Sequence, residues 1–164
     1  MYGDDINTDL IIAGKYTKTL NLANLAAHCM EDLDPRFHEK CRDGAFIAAG
    51  EYFGCGSSRE QAPLALREAG IKCVAAKSFS RIFYRNAINI GLPIVECDTS
   101  FIKEGDELEY ELGGDILKNA TTGVSAIITP LPDIMVRILS HGGMIGFIKE
   151  NGGFDDLFRM GDAY

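Results

Sequence analysis

Residues 45–69 read AFIAAGEYFGCGSSREQAPLALREA, and their order decides the architecture. Ala45–Ala49 is a short apolar run of the kind that forms a buried strand, and Leu64–Ala69 repeats apolar side chains at helical spacing. Between them lies Gly54-Cys55-Gly56-Ser57-Ser58-Arg59-Glu60. A strand, a glycine-rich turn and a helix N-terminus gather unpaired N–H groups and the positive end of a helix dipole, which suits an anion. Arg59 adds a planar fork of donors that matches a carboxylate or a phosphate. Ser57-x-x-Glu60 and Ser58-x-x-Gln61 also fit the capping box, so the same residues read as an ordinary helix start. Pro63 has no N–H and belongs in a first turn. The helix is therefore expected to begin near Glu60, leaving Ser57 and Ser58 in the turn. No Gly-Lys-Ser/Thr closes the loop and no third glycine stands at dinucleotide spacing, which argues against both nucleotide fingerprints.

Working outward, the pattern alternates. Gly70 ends the helix expected over 61–69, and residues 71–76 form a second strand. Helix 79–90 stops at Gly91, and 92–97 is a third strand. Strand, helix, strand, helix, strand calls for crossover connections and a mostly parallel sheet covered by helices. Ligands on such sheets gather at the carboxyl ends of the strands, where the loop 50–60 lies. Upstream, Asp4–Ile12 joins an acidic turn to an apolar run, and 14–19 is a polar loop. Residues 22–33 carry a helical apolar stripe with Asn21 as cap, and 34–44 reads as a surface connection. Downstream, glycine-punctuated segments such as 107–112 and 125–129 predict antiparallel hairpins. Pro132 can open a helix that Gly142-Gly143 breaks, and 144–150 is a second short helix. The whole chain, 1–164, is expected to be one α/β domain.

Composition narrows the partners. The chain has 164 residues, 46% of them apolar, and a net charge of −8 without any lysine or arginine cluster. That balance argues against nucleic acid, whose phosphates would be repelled. A small anion remains compatible if the positive groups are local, as Arg59 and Lys18 are. The five cysteines (29, 41, 55, 73, 97) are odd in number and form no Cys-x-x-Cys pair, which argues against a disulfide framework and a self-contained zinc or iron–sulfur site. Most are expected to be buried in a reducing cytosol. His28, His38 and His141 show no metal-ligand spacing and read as structural or exposed. No targeting signal opens the sequence, and no apolar run approaches the ~20 residues of a membrane span. A soluble, cytoplasmic protein is expected.

Three separated stretches carry a family resemblance: Gly3–Asp9 (GDDINTD), Gly54–Glu60 (GCGSSRE) and Phe79–Pro93 (FSRIFYRNAINIGLP). Together with HCMEDLD at 28–34 they closely resemble the small subunits of 3-isopropylmalate dehydratases, in the aconitase superfamily, which correspond to aconitase's swivelling C-terminal domain. Members often have a few more residues before the Asp-Ile-x-Thr-Asp stretch, so this start looks short. The resemblance implies a hydro-lyase that removes water from a hydroxy acid and returns it to the neighbouring carbon. It implies a four-iron, four-sulfur cluster held by a large subunit and no cofactor on this chain. Self-association is a further option. By position in the family pattern, Ser57 is the base, Asp9 helps handle protons, and Ser58 and Arg59 bind substrate carboxylate. The loop 14–19 corresponds to the segment that meets the variable end of the substrate, which brings in Lys18 and Thr19. Members acting on isopropylmalate often have an apolar or neutral residue at the Lys18 position, and homoaconitase-like members have arginine. A lysine pointing inward there would favour an extra carboxylate; a solvated lysine would leave isopropylmalate in place. Dimethylmalate, homocitrate-type and citrate-like acids stay open, as does a non-catalytic anion-binding module.

Overall fold

Three parallel strands position everything else. In the computed structural model, which describes residues 1–18, 21–41 and 44–152, β1 (Phe46–Ala49), β2 (Cys73–Ala76) and β3 (Ile94–Glu96) lie in that order. Their register is Ile47↔Val74↔Ile94. Side chains alternate between two cores, as the pleat requires. Ile47, Ala49, Val74, Ala76 and Ile94 face one, and Ala48, Cys73, Ala75 and Val95 face the other.

The crossovers β1–β2 and β2–β3 are α4 (Gln61–Glu68) and α5 (Arg81–Ile90). Sequential strand order with crossovers of one hand puts both helices on the same face. There Ala62, Ala65, Leu66, Phe83 and Ala87 pack with Ile138 and Leu139 of α6 (Asp133–Ser140) and Phe147 of α7 (Met144–Asn151). The opposite face is covered by an antiparallel sheet of β4 (Leu108–Tyr110), β5 (Ile116–Asn119) and β6 (Ser125–Ile127). Leu117 and Ile128 close that second core. The expected mixture of a parallel sheet, helices and an antiparallel portion is present as three layers, with helices on one face of the parallel sheet rather than both.

The chain before β1 differs from its sequence reading in three places. The acidic turn and apolar run over 4–12 contain a short helix, α1 (Thr8–Ile11), capped by the Asn7 side chain. The helix expected over 22–33 stops as α2 (Leu22–Ala27). Met30 adopts φ +61° and gives its N–H to the Ile11 carbonyl at 2.8 Å, so a tertiary bond outcompetes the apolar periodicity. The 34–44 connection holds α3 (Phe37–Lys40), which buries Phe37. Asn21 caps α2 as its side-chain type predicts.

The N-terminal segment runs beside β1 and its following loop. Tyr2 N–H donates to Ala48 O at 2.8 Å, and Asp5 N–H to Glu51 O at 2.9 Å. Asp34 ties this segment to α3: its carboxylate accepts from Tyr2 Oη (2.9 Å), Lys40 Nζ (2.7 Å) and Arg36 N–H (3.1 Å). The Lys40 ammonium, with Tyr2 and the Arg36 amide, holds the Asp34 carboxyl below its ordinary value against the cost of burial.

Replacing Asp34 by Asn is expected to lower unfolding stability by about 1–3 kcal/mol at neutral pH, since a charged acceptor of three donors is lost. A depressed folded pKa gives stability that is present above the unfolded value of 3.8 and lost as pH falls through the lower folded one. The difference in melting temperature between the two proteins should therefore shrink as pH falls below 3.8. A gap that stays constant from pH 7 to pH 2.5 would contradict the assignment.

Candidate active site

The loop between β1 and α4 is shaped from two sides. Gly54 has φ +76°, and a Cβ there would stand 2.2 Å from Phe83 Cγ. Both facts require glycine. Phe83 is held in the first turn of α5, where Ser80 caps the helix: its Oγ accepts from Phe83 N–H (3.2 Å) and donates to Gly54 O (2.6 Å). Ser80 N–H also donates to Phe53 O at 2.9 Å, and Phe53 meets Phe83 edge to face with centroids 5.2 Å apart. From the other side, Gly54 N–H donates to Ile6 O (2.7 Å) and Thr8 N–H to Cys55 O (2.8 Å). The stretches 3–9, 54–60 and 79–93, far apart in sequence, thus meet at one turn.

That turn presents Ser57, Ser58 and Arg59. The N-cap of α4 is Glu60, with no side-chain cap. The capping-box reading therefore fails, and neither serine is engaged in starting the helix. Ser57 is exposed and is gripped instead by Thr8, a buried residue of α1. Ser57 N–H donates to Thr8 Oγ1 (3.1 Å), and the two hydroxyl oxygens lie 3.4 Å apart. The Ser58 side chain is exposed and has no hydrogen-bond partner among the described residues. Arg59 Nη1 pairs with the Asp9 carboxylate and donates to the Ile12 carbonyl at 3.3 Å. Its Nη2 lies against Gly14, where an added Cβ would stand 3.2 Å away. Ser57, Arg59 and Asp9 are therefore brought together, with Ser58 on the same exposed turn.

Other expected residues fall differently. Lys18 is exposed, just beyond the 3-10 turn Gly14–Tyr16, and forms no ion pair with a described residue. No hydrogen bond or ion pair links it to Ser57, Arg59 or Asp9. Thr19 lies outside the described residues. Cys55 sits within the turn, half-buried; burial leads, with Asp5 adding, in pushing its thiol up, so it is neutral at physiological pH. Thr8 and Ser80 escaped the sequence reading as individual residues. The signal for both was present, because each lies inside a motif stretch whose other members were singled out.

The site is open. Ser57, Ser58 and Glu60 face solvent, and a cavity of about 690 Å³ elsewhere, beside β1 and lined by Phe37, Phe46 and Ile102, contains none of them. Among the described residues no three His, Cys, Asp or Glu side chains converge as a metal site, and no helix is long and apolar enough to cross a membrane.

Comparison with known proteins identifies the family. The aconitase C-terminal domain family matches residues 4–99. 3-Isopropylmalate dehydratase small subunit 2 of Archaeoglobus fulgidus is 52% identical over 152 residues, 92% of each chain. Small subunit 1 of Methanopyrus kandleri is 52% identical over 155 residues, covering 93% of this chain and 91% of its own. A crystal structure of a 3-isopropylmalate dehydratase from Methanocaldococcus jannaschii superposes with a TM-score of 0.85 at 41% identity, covering 98% of this chain and 94% of that one.

The two glycines of the turn should respond unequally to alanine. Gly54→Ala meets both the left-handed backbone and the Phe83 ring, and is expected to cost about 3 kcal/mol or more. Gly56, at φ +93°, has only Thr8 Oγ1 within 3.4 Å of an added Cβ, so its alanine variant should cost about 1–2 kcal/mol. Urea denaturation distinguishes them; equal losses would show that the Phe83 contact does not constrain the loop.

Proposed function

The chain belongs to the 3-isopropylmalate dehydratase small-subunit family, within the aconitase C-terminal domain family, and on that premise we propose that it supplies one wall of a hydro-lyase site shared with a large subunit. The reaction is the interconversion of 2- and 3-isopropylmalate in leucine biosynthesis. A hydroxyl leaves one carbon and a proton the next, an alkene forms, and water returns with the two positions exchanged. The observation that carries this reading is the exposed Ser57 hydroxyl, held against Thr8 of α1, on the same turn as Arg59, whose guanidinium pairs with the Asp9 carboxylate of α1. The family resemblance adds a four-iron, four-sulfur cluster, which supplies Lewis-acid chemistry from the large subunit. The described residues of this chain do not fit such a group, so the steps below belong to side chains alone.

Ser57 Oγ takes the proton from the carbon beside a carboxylate. A serine is a poor base unless its ionised form is stabilised, and the Thr8 hydroxyl at 3.4 Å is the donor in reach. Arg59 uses Nη1 for Asp9 and Ile12, which leaves its Nε–Nη2 edge to grip a substrate carboxylate with two bonds. The Ser58 hydroxyl adds a donor beside it. Asp9, paired to Arg59 yet exposed, exchanges protons with the departing and returning water. An open serine surrounded by water cannot be made basic, and a large subunit closing over the turn would exclude that water. A stand-alone anion-binding module would need none of the Ser57–Thr8 pairing. Residues 1–164 act in this reading as one swivelling domain, and the absence of disulfides among the five cysteines suits a reducing cytoplasm.

One observation favours a second substrate. The Lys18 ammonium has no carboxylate partner among the described residues, so it is available to a tricarboxylic hydroxy acid of the homoaconitase type. Thr19, the other residue expected at the variable end of the substrate, lies outside the described residues.

In the enzyme reconstituted with its large subunit, Ser57→Ala is expected to lower kcat by about 100-fold or more while leaving KM and melting temperature near wild type. Thr8→Val should lower kcat by about tenfold, and Thr8→Ser should restore it, since only the hydroxyl is needed. Turnover near wild type in Ser57→Ala would remove the serine from the chemistry.

Substrate choice is read from Lys18→Val. If the lysine holds an extra carboxylate, the ratio of kcat/KM for isopropylmalate over a tricarboxylic hydroxy acid should rise by about tenfold or more. An unchanged ratio would place the lysine in solvent and leave isopropylmalate as the substrate.

A further inference from the structure

Tyr16 closes the 3-10 turn that separates the Arg59 side of the site from Lys18, and its ring is clamped. The His28 imidazole stacks on it with centroids 3.8 Å apart and planes 4° from parallel. Lys15 Nζ lies over the same ring, 4.7 Å from its centroid. Glu31 holds both flanking groups: one oxygen is 2.6 Å from His28 Nδ1, the other 3.4 Å from Lys15 Nζ. His28 leads, with Tyr16 and Lys15 adding, in drawing the Glu31 carboxyl down to about 2, so it stays ionised at working pH. The turn that carries His28 and Glu31 is itself bonded to α1 through Met30 N–H and Ile11 O. At its other end the 3-10 turn packs by Gly14 against Arg59 Nη2.

We infer that His28 is a positioning residue for substrate selection: by stacking on Tyr16 it fixes the Gly14–Lys18 segment relative to Arg59, and so fixes the distance between the grip on the common carboxylate and the groups that meet the variable end of the substrate. A loop that merely covered the site would need no ring held on one face and carried by a second bonded turn. The clamp makes the segment a rigid wall, because displacing the turn must break the Tyr16–His28 stack and the Lys15–Glu31 pair together, while the His28–Glu31 bond keeps the imidazole in place. This rests on the functional reading above, since it assigns a role within that site.

Two measurements test it. In the reconstituted enzyme, His28→Ala should raise KM for isopropylmalate by about three- to tenfold and change its kcat/KM ratio against a tricarboxylic hydroxy acid, with kcat changed less than about twofold. His28→Phe keeps a flat ring for Tyr16 and should restore KM and the ratio. In the chain alone, hydrogen exchange at the Tyr16 and Thr17 amides, which close the turn onto Ala13 O and Gly14 O, should speed up by about threefold or more in His28→Ala and not in His28→Phe. Unchanged KM and ratio in His28→Ala, a loss in kcat alone, or a His28→Phe variant no better than alanine would overturn the inference. A wild-type complex inactive on every hydroxy acid would instead defeat the functional reading, and the exchange measurement still decides whether His28 holds the turn.

Discussion

The Gly54 backbone lies so close to the Phe83 ring that any side chain at that position would collide with it, and the course of the turn between β1 and α4 follows from that contact. Phe83 cannot retreat, because α5 is capped by Ser80, and the Ser80 hydroxyl also holds the Gly54 carbonyl. The turn is therefore built onto the start of α5 as much as onto the end of β1. With the backbone fixed at Gly54, the next residues are led past α1, where Thr8 takes the Ser57 amide and Asp9 meets Arg59. A single close approach thus sets the spacing among groups drawn from three parts of the chain.

The electrostatics follow from exposure. Arg59 and Asp9 form a partly exposed pair, which at a surface contributes little to stability. What the pair does is orient the guanidinium, with Ile12 O and Gly14 completing the fit. Such an arrangement is weak in water and strong once a partner surface removes the water. Ser57 and Ser58 are exposed, as a site completed by a partner surface requires.

Much of this was legible in sequence because backbone demands leave local marks. Glycines at 54 and 56, apolar runs at 45–49, 71–76 and 92–97, and helix stops at Gly70 and Gly91 located the parallel sheet and the turn within it. The helix after Leu22 was overextended because periodicity ignores long-range bonds, and Met30 N–H to Ile11 O is such a bond. Layer placement was also out of reach: an antiparallel sheet covering the second face depends on Leu117 and Ile128 finding Ala48 and Ala75 across the fold. Of the site, Ser57, Ser58, Arg59 and Asp9 were named from motif position, but the Thr8–Ser57 contact joins residues 49 apart and has no local signature. The start of α4 was legible despite the capping-box pattern, because Pro63 must sit in a first turn and so places the helix start at Glu60, with Ser57 and Ser58 left in the turn.

In the proposed function this chain provides the serine, arginine and aspartate of a shared site, and the large subunit completes it. Titrating the purified chain into a fixed amount of its cluster-loaded large subunit, with isopropylmalate present and the alkene followed by absorbance, tests this directly. Activity should be absent from either component alone and should rise to a plateau at a fixed ratio of the two. Turnover by this chain alone, or a stable complex of the two subunits that turns over no hydroxy acid, would contradict it.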